Sequence, residues 1–139
     1  YHVHFKGHDH LLSRPVIFLN RGFGITPMEQ GLRVVGTVEF GGLDAPASKK
    51  RILNLVNNAK YLFPELTKHY DEWLGFRPTL PDCLPVIGPS KNYKNLFYSF
   101  GHHHLGWTLG AISGKIVSNM IAEENTNLDL SAYNSTRFS

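Results

Sequence analysis

The residues whose types could carry out chemistry are concentrated in one stretch, residues 96–122. Residues 96–100 are mostly apolar and aromatic and predict a strand that ends at Gly101, and a helical pattern begins at Gly106. A strand, a glycine turn and a helix in this order present backbone N–H groups at the helix N-terminus, where an anionic or electron-rich group can be bound. The stretch is therefore typical of a cofactor-binding turn.

Three glycines of this helix, Gly106, Gly110 and Gly114, are spaced so that they share one face. A glycine face lets another backbone or a flat ring approach closely, whereas Ala or Ser would be the ordinary residue if helix propensity alone mattered. Two interpretations stay open: the face contacts a cofactor, or it packs tightly on a sheet.

The histidines raise the question of a metal site. They form two groups, namely His2, His4, His8 and His10, and the consecutive His102, His103 and His104. Members of the first group alternate with other residues, so on strands their imidazoles would share a face. Three consecutive histidines in a turn cannot easily all point at one ion, and no carboxylate stands at zinc-enzyme spacing on a helix. We therefore predict no metal site.

Arg77 lies between Phe76 and Pro78, close to Trp73, in a turn-rich stretch. A partly desolvated guanidinium in such a place can hold a carboxylate through two parallel hydrogen bonds. A lone Arg beside an aromatic residue is more often a surface or stacking residue, so both interpretations stay open. The single cysteine, Cys83, stands in a proline-framed turn rather than at a helix N-terminus, and we interpret it as a packing residue.

The elements that must position these residues indicate an α+β fold. Strands are predicted at residues 16–19, 25–28 and 32–40, with a turn at residues 20–24. A helix is predicted after Pro46, because apolar residues recur at intervals of three and four: Ile52, Leu55, Val56, Ala59 and Leu62. Pro64 ends it. Residues 73–89 are expected to form turns and short extended pieces, and residues 128–139 a surface segment or frayed end.

The composition of the 139-residue chain is that of a globular domain of ordinary size, with 42% hydrophobic and 18% charged residues. The formal charge is +3, and the Lys and Arg residues are scattered apart from residues 49–51, which argues against nucleic-acid binding. Lys115 and Ser118 interrupt the longest apolar candidate, which is shorter than the ~20 residues of a membrane span. The single cysteine fits a reducing compartment. We expect a cytoplasmic protein, with peripheral association at the inner membrane as the alternative.

Two motifs carry a family resemblance. Residues 73–89 read WLGFRPTLPDCLPVIGP and residues 95–109 read NLFYSFGHHHLGWTL. Together they resemble the C-terminal signature of the D-amino acid oxidase superfamily of flavoproteins, in particular its D-amino acid dehydrogenase and glycine oxidase group. Residues 36–40 and 62–64 also look like a strand and a helix end of that family. The likeness covers nearly the whole chain.

The resemblance implies FAD-dependent oxidative deamination of an amino acid, either a D-amino acid or a related secondary amine, by hydride transfer from the α-carbon to flavin N5. The electron acceptor would be oxygen or a quinone. Arg77, in the Gly-x-Arg-Pro motif, would bind the substrate carboxylate, and His104 is expected beside the substrate. The resemblance implies flavin contacts at Gly101, His102, His103, His104, Leu105, Gly106, Trp107 and Thr108.

The sequence departs from the family pattern at two positions. His103 stands where the family usually has Gly, so the backbone there must accommodate a β-carbon. Gly24 stands where glycine oxidase and its relatives place a substrate-binding Tyr. A second carboxylate contact is therefore expected to be absent or supplied elsewhere, and the substrate need not be a simple D-amino acid.

The Gly-x-Gly-x-x-Gly turn that binds the ADP half of FAD is absent from the 139 residues. We expect a fragment whose partner is the missing N-terminal part of the same polypeptide, and which alone is inactive. Residues 1–94 would be the C-terminal half of a mixed or antiparallel-sheet substrate-binding domain. Residues 95–139 would be the closing strand and C-terminal helix of an FAD-binding Rossmann-like domain. The alternative is a non-catalytic α+β domain that binds a partner.

Overall fold

The structure is a computed structural model that describes residues 1–138. Its strands are β1 (His2–Phe5), β2 (Val16–Phe18), β3 (Phe23–Met28), β4 (Gly31–Gly36), β5 (Tyr70–Trp73), β6 (Val86–Pro89) and β7 (Phe97–Phe100), and its helices are α1 (Lys49–Leu62) and α2 (Gly106–Ile121). Short 3₁₀ turns lie at Asp9–Leu11, Leu19–Arg21, His103–Leu105, Ser131–Tyr133 and Ser135–Phe138. The chain forms two compact units that divide between Phe76 and Arg77.

The first unit is a five-stranded sheet with one helix. The strand order is β2-β3-β4-β1-β5, and each neighbouring pair is antiparallel. Because side chains alternate along a strand, Val3 and Phe5 of β1 lie on the face opposite to His2 and His4. The predicted α+β class with antiparallel sheets is confirmed.

The core of the first unit lies between α1 and one face of this sheet. The strands contribute Val3, Phe5, Phe23, Ile25, Leu32 and Val34, and the helix contributes Ile52, Leu55, Val56 and Ala59. Four of the five residues of the predicted apolar helix face are thus buried, and Leu62 packs against the cluster. Truncating a fully buried leucine such as Leu55 to Ala costs about 2–5 kcal/mol of stability in general.

Three details of the first unit differ from the sequence-based expectation. The strand predicted over residues 32–40 ends at Gly36, because Thr37 takes a left-handed conformation with φ of 59°. The turn predicted at residues 20–24 is shorter, since β3 already begins at Phe23. Strand β5 was not predicted, because its sequence Tyr-Asp-Glu-Trp is largely polar.

The second unit begins at Arg77 and contains a strand pair and a helix. Strands β6 and β7 are antiparallel, with Val86 opposite Phe100 and Pro89 opposite Phe97. Helix α2 packs against both strands and buries Ser113 and Ile116. The predicted strand, glycine turn and helix of residues 96–122 are confirmed, and Gly106 is the first residue of α2. No helix within residues 1–138 combines the length and apolarity of a membrane span.

The compact units do not coincide with the predicted domains, residues 1–94 and 95–139. Strand β6 falls in the first predicted domain, yet it pairs with β7 in the second unit. The predicted domains refer to a longer polypeptide, so that division stays a prediction.

Candidate functional site

The turn after β7 is held in a conformation that requires glycine at its first position. Gly101 is buried and has φ of 81°, a region that side-chain-bearing residues rarely adopt. A β-carbon there would lie 2.5 Å from Cδ1 of Leu80 and 2.8 Å from its Cγ. The turn and the segment that carries Leu80 therefore pack closely within the second unit.

His103 occupies the position at which the family pattern has glycine. Its φ of 54° lies in the left-handed region, so the backbone keeps a glycine-like conformation although the residue carries a β-carbon. The N–H of His103 donates to the carbonyl of Pro78 at 3.3 Å, and its Nδ1 lies 3.3 Å from Oγ1 of Thr79. Its Nε2 is buried without a hydrogen-bond partner among residues 1–138. The imidazole is thus accommodated by the segment that follows Arg77.

His102 joins the turn to α2. Its Nε2 lies 2.9 Å from Oγ of Ser113, whose exposed fraction is 2%. A buried hydroxyl needs a hydrogen-bond partner, so this contact fixes the turn against the helix. The implied flavin contact of His102 stays a prediction.

The start of α2 is open. Leu105 is the N-cap residue, and no side chain caps the first N–H groups. His104, Leu105 and Thr108 are exposed, and Trp107 is fully exposed. An uncapped helix start beside exposed apolar groups fits a flat, electron-rich ligand. The cofactor contacts implied for these residues stay predictions, and so does the substrate contact implied for His104.

The glycine face of α2 has no packing partner among residues 1–138. A β-carbon at Gly110 or Gly114 would meet no atom within 4 Å, and one at Gly106 would meet only Cβ of His102, at 3.6 Å. Within the described residues the face therefore does not pack tightly on a sheet. An open glycine face of this kind suits a flat ring or another backbone.

Arg77 lies immediately before the segment that holds the turn. The side chain is exposed and forms no hydrogen bond or ion pair with other residues in the described part of the chain. Its neighbours Pro78, Thr79 and Leu80 contact His103 and Gly101. The structure therefore brings the start of the Gly-x-Arg-Pro segment to the candidate cofactor turn. Sequence reasoning missed Pro78, Thr79 and Leu80, because no sequence pattern reports a contact across more than 20 residues of chain.

A second polar cluster lies on the sheet of the first unit. Potential metal-ligand atoms of His2, His4 and Asp71 lie within 4.8 Å of one another. Nε of Arg33 donates to Nε2 of His4 at 2.9 Å, so Nδ1 of His4 carries the ring proton and faces Oδ2 of Asp71 at 3.2 Å. With the proton on Nδ1 and the Nε2 lone pair accepting from Arg33, neither ring nitrogen of His4 offers a free lone pair to a metal ion. His4 is thus held between Arg33 and Asp71, and the expectation of no metal site stays a prediction.

The same cluster borders a cavity of about 730 Å³ whose lining includes Lys6, Arg33, Tyr70 and Asp71. His2 stacks on Trp73 with ring centroids 4.8 Å apart. Burial, and then the charges of Arg33 and His4, lower the pKa of His2 from 6.5 to about 4. His2 is therefore neutral at physiological pH. Neither Arg33 nor Asp71 was singled out from the sequence, since neither stands in a recognisable motif.

Gly24 lies in β3 between Ile17 and Val35 of the neighbouring strands. A β-carbon at Gly24 would lie 3.5 Å from the carbonyl oxygen of Val16 and 3.6 Å from Cγ1 of Val35, which are ordinary contacts. The strand could therefore carry a side chain at this position, and the missing Tyr is a difference in sequence rather than one forced by packing.

Comparison with known proteins places these features in context. A family model described as "FAD dependent oxidoreductase" matches residues 1–120. A D-amino-acid oxidase of Bradyrhizobium diazoefficiens is 34% identical over 114 residues, which cover 78% of this chain and 27% of that protein. D-amino acid dehydrogenase 3 of Mesorhizobium japonicum is 38% identical over 94 residues, covering 67% of this chain and 23% of the relative. The chain thus spans about a quarter of the length of these relatives.

Solved structures with the same fold include glycine oxidase from Geobacillus kaustophilus, with a TM-score of 0.79 and 28% identity over 98% of this chain and 37% of that one. An iminodiacetate oxidase from Chelativorans sp. has a TM-score of 0.76 at 23% identity, over 96% of this chain and 37% of that one. The second likeness concerns the fold alone.

Proposed function

The chain belongs to the DAO family of FAD-dependent oxidoreductases, and we propose that it forms the part of an amino acid oxidase or dehydrogenase that holds the substrate carboxylate beside the flavin. The observation that carries this proposal is the contact between the segment after Arg77 and the turn after β7. The N–H of His103 donates to the carbonyl of Pro78, the residue next to Arg77. A carboxylate clamp and a candidate flavin turn are thereby attached to one another.

The reaction we propose is oxidation of the carbon–nitrogen bond of an amino acid. The α-carbon of the neutral amine gives up its hydrogen as a hydride, with the C–H electron pair, and an iminium cation, the protonated imine, remains. Water hydrolyses it to a keto acid and an ammonium ion, or to a keto acid and a protonated amine when the substrate is N-substituted. FAD, when bound, supplies the acceptor for this hydride at N5. The electrons then pass to oxygen or to a quinone. The names of the relatives support a D-amino acid or a related amine as the substrate.

Arg77 has the role of orienting the substrate. Its guanidinium is planar and offers two parallel N–H groups that match the two oxygens of a carboxylate. Since it has no partner among residues 1–138, binding a carboxylate breaks no contact of the described fold. No side-chain base is required, because an amine that is neutral when bound can lose hydride directly. Catalysis by these residues is then positioning and electrostatic preorganisation.

The residues that would hold the flavin are those of the turn and the start of α2: Gly101, His104, Leu105, Gly106, Trp107 and Thr108. The N–H groups at the start of α2 would stabilise negative charge on the cofactor, because no side chain caps them. His102 and His103 shape the turn through Ser113, Pro78 and Thr79. His104 is exposed next to these residues, and we propose that it borders the substrate.

The ADP half of FAD would be bound by a Gly-x-Gly-x-x-Gly segment joined to this chain in a longer polypeptide, since these residues contain none. We call that polypeptide with FAD bound the flavin-loaded protein. The test is to add D-amino acids, glycine and N-substituted glycines to it without oxygen and follow the visible flavin absorbance. Bleaching by one or more of them is the expected result. Full flavin occupancy with no bleaching by any of them would leave the non-catalytic alternative in its place.

A further inference from the structure

We propose that Arg137 is a positioning residue for Arg77, which it affects by fastening the turn at residues 82–84 against the body of the second unit. The inference deepens the proposed function and rests on it. The family model ends at residue 120, so Arg137 lies outside the part of the chain that the family pattern describes.

Arg137 forms hydrogen bonds to Asp82 and Leu84, which together we call the clasp. Nε of Arg137 lies 2.5 Å from Oδ2 of Asp82, and Nη2 lies 3.3 Å from Oδ1. Nη2 also donates to the carbonyl of Leu84 at 2.7 Å. The guanidinium therefore holds both a side chain and a backbone group of the same turn.

Arg137 is itself held in place by neighbouring residues. Nη1 donates to the carbonyl of Asn134 at 3.1 Å, and the guanidinium carbon lies 4.3 Å from the ring centroid of Phe138. The side chain is only 15% exposed. The 3₁₀ turn that carries it, Ser135–Phe138, packs against β6. The neighbouring cation lowers the pKa of the Asp82 carboxyl, so that this partner is ionised at neutral pH.

The turn held by the clasp is joined to Arg77 by the short segment between them. The N–H of Cys83 donates to the carbonyl of Leu80 at 3.0 Å, which closes the turn that the clasp holds. Leu80 packs over Gly101, and Pro78 accepts the hydrogen bond from His103. The segment between Arg77 and Leu84 is therefore attached at its start to the candidate flavin turn and at its end to Arg137.

The consequence concerns affinity for a carboxylate. With the clasp intact, the segment that carries Arg77 has one geometry, and the entropy of ordering it has been lost before a ligand arrives. Without the clasp, residues 80–84 gain freedom and part of that entropy is lost on binding. Arg137 touches neither Arg77 nor the open start of α2 in the described contacts, so it acts through the turn.

The test uses the flavin-loaded protein and benzoate, a carboxylate with no amine to oxidise, titrated through its effect on the flavin spectrum. The variants are Arg137→Ala, Arg137→Lys and Asp82→Asn. Arg14→Ala is the matched control, because Arg14 is an exposed arginine without a hydrogen bond or ion pair in the described residues. Alkylation of Cys83, which lies between the two residues held by Arg137 and is exposed, reports directly on the turn.

We expect Arg137→Ala to weaken benzoate binding about fivefold, because the ion pair that it removes is only partly exposed to solvent. Alkylation of Cys83 should become faster while flavin content stays that of the control. Asp82→Asn should have a smaller effect, because it leaves the hydrogen bond from Arg137 to the carbonyl of Leu84. Combining it with Arg137→Ala should add little to Arg137→Ala alone, since that variant already removes the ion pair. Arg137→Lys should lie between wild type and Arg137→Ala.

The proposal is overturned if Arg137→Ala and Asp82→Asn bind benzoate as Arg14→Ala does. It is also overturned if both lose flavin to the same degree as they lose benzoate, since Arg137 would then support the fold or the cofactor in general. Arg77→Ala separates the two levels of inference. If it leaves benzoate binding unchanged, the proposed carboxylate clamp is wrong and the positioning role falls with it, whereas faster Cys83 alkylation in Arg137→Ala would still demonstrate the clasp.

Discussion

Replacing Arg77 by Lys separates a carboxylate clamp from a surface arginine. Arg77 is exposed and has no hydrogen bond or ion pair within residues 1–138, so its replacement removes no contact of the described fold. Surface substitutions of this kind usually change stability by no more than about 0.5 kcal/mol. We therefore expect the melting temperature and flavin content of the Lys variant to match those of the wild type.

The effect on substrate use should be much larger. A lysine keeps the charge but is a point donor that cannot hold both carboxylate oxygens in one plane. Loss of one charge-assisted hydrogen bond costs roughly 1.5–3 kcal/mol. On a scale where about 1.4 kcal/mol is tenfold, kcat/KM should fall about tenfold to a hundredfold, and Arg77→Ala should be worse.

The assay is steady-state kinetics on carboxylate-bearing amines, with flavin absorbance measured on the same samples. Arg14→Lys is the control, since it makes the same chemical change at another exposed arginine without a described partner. If kcat/KM of Arg77→Lys stays within about twofold of the control at full flavin occupancy, the two arginines behave alike and Arg77 is not the clamp.

Three further expectations follow from other features. The 139-residue chain purified alone should be colourless, and a yellow preparation with stoichiometric FAD would contradict the inference that the ADP site lies outside it. Gly110→Ala should lower the flavin content of the flavin-loaded protein, because the glycine face is open for a ligand or backbone. Helix propensity alone favours Ala by about 1 kcal/mol, so the loss would not come from a weaker helix. If the flavin content per protein equals that of Ser118→Ala on the same helix, nothing approaches Gly110 closely. His2 has a folded-state pKa of about 4 against an ordinary value of 6.5, so its contribution to stability is full above pH 6.5 and is lost as the pH falls toward 4. Since His2 is only partly buried, solvent screening reduces the expected loss to about 1 kcal/mol, and urea unfolding near neutral and near acid pH should show it in the wild type but not in His2→Gln.

The sequence was most informative where side-chain periodicity matches burial. The apolar face of α1 is visible from spacing alone, because its helix packs on a single sheet face. The strand, turn and start of α2 were predicted correctly because Gly101 and Gly106 interrupt two different periodicities.

The sequence was less informative where a single backbone angle or a distant partner decides the structure. The end of β4 depends on the left-handed conformation of Thr37, a residue whose type favours strands. Strand β5 has few apolar residues and is fixed by pairing with β1 and by the hydrogen bond from Tyr70 to the carbonyl of Gln30. Asp71 within it has φ of 53°, which no propensity predicts.

The candidate site shows the same division. Arg77 and the glycine turn stand in motifs and could be named from the sequence, whereas the contacts that join them could not. The segment that contains Arg137 was interpreted as a surface segment or frayed end, since a polar stretch without periodicity carries no signal of its partner. Only the fold brings its guanidinium to Asp82.

The clasp also imposes an order on folding during synthesis. Asp82 leaves the ribosome 55 residues before Arg137, so β6, β7 and α2 are all made before the contact can form. Closing a loop of this length costs conformational entropy. Once the strand pair and the helix have folded, most of that entropy is already lost, so the clasp then forms at little further cost. The turn at residues 82–84 is consequently among the last parts of the second unit to become fixed. Cys83 is exposed in the folded chain as well, and we expect it to be alkylated faster in a nascent chain stalled before residue 137.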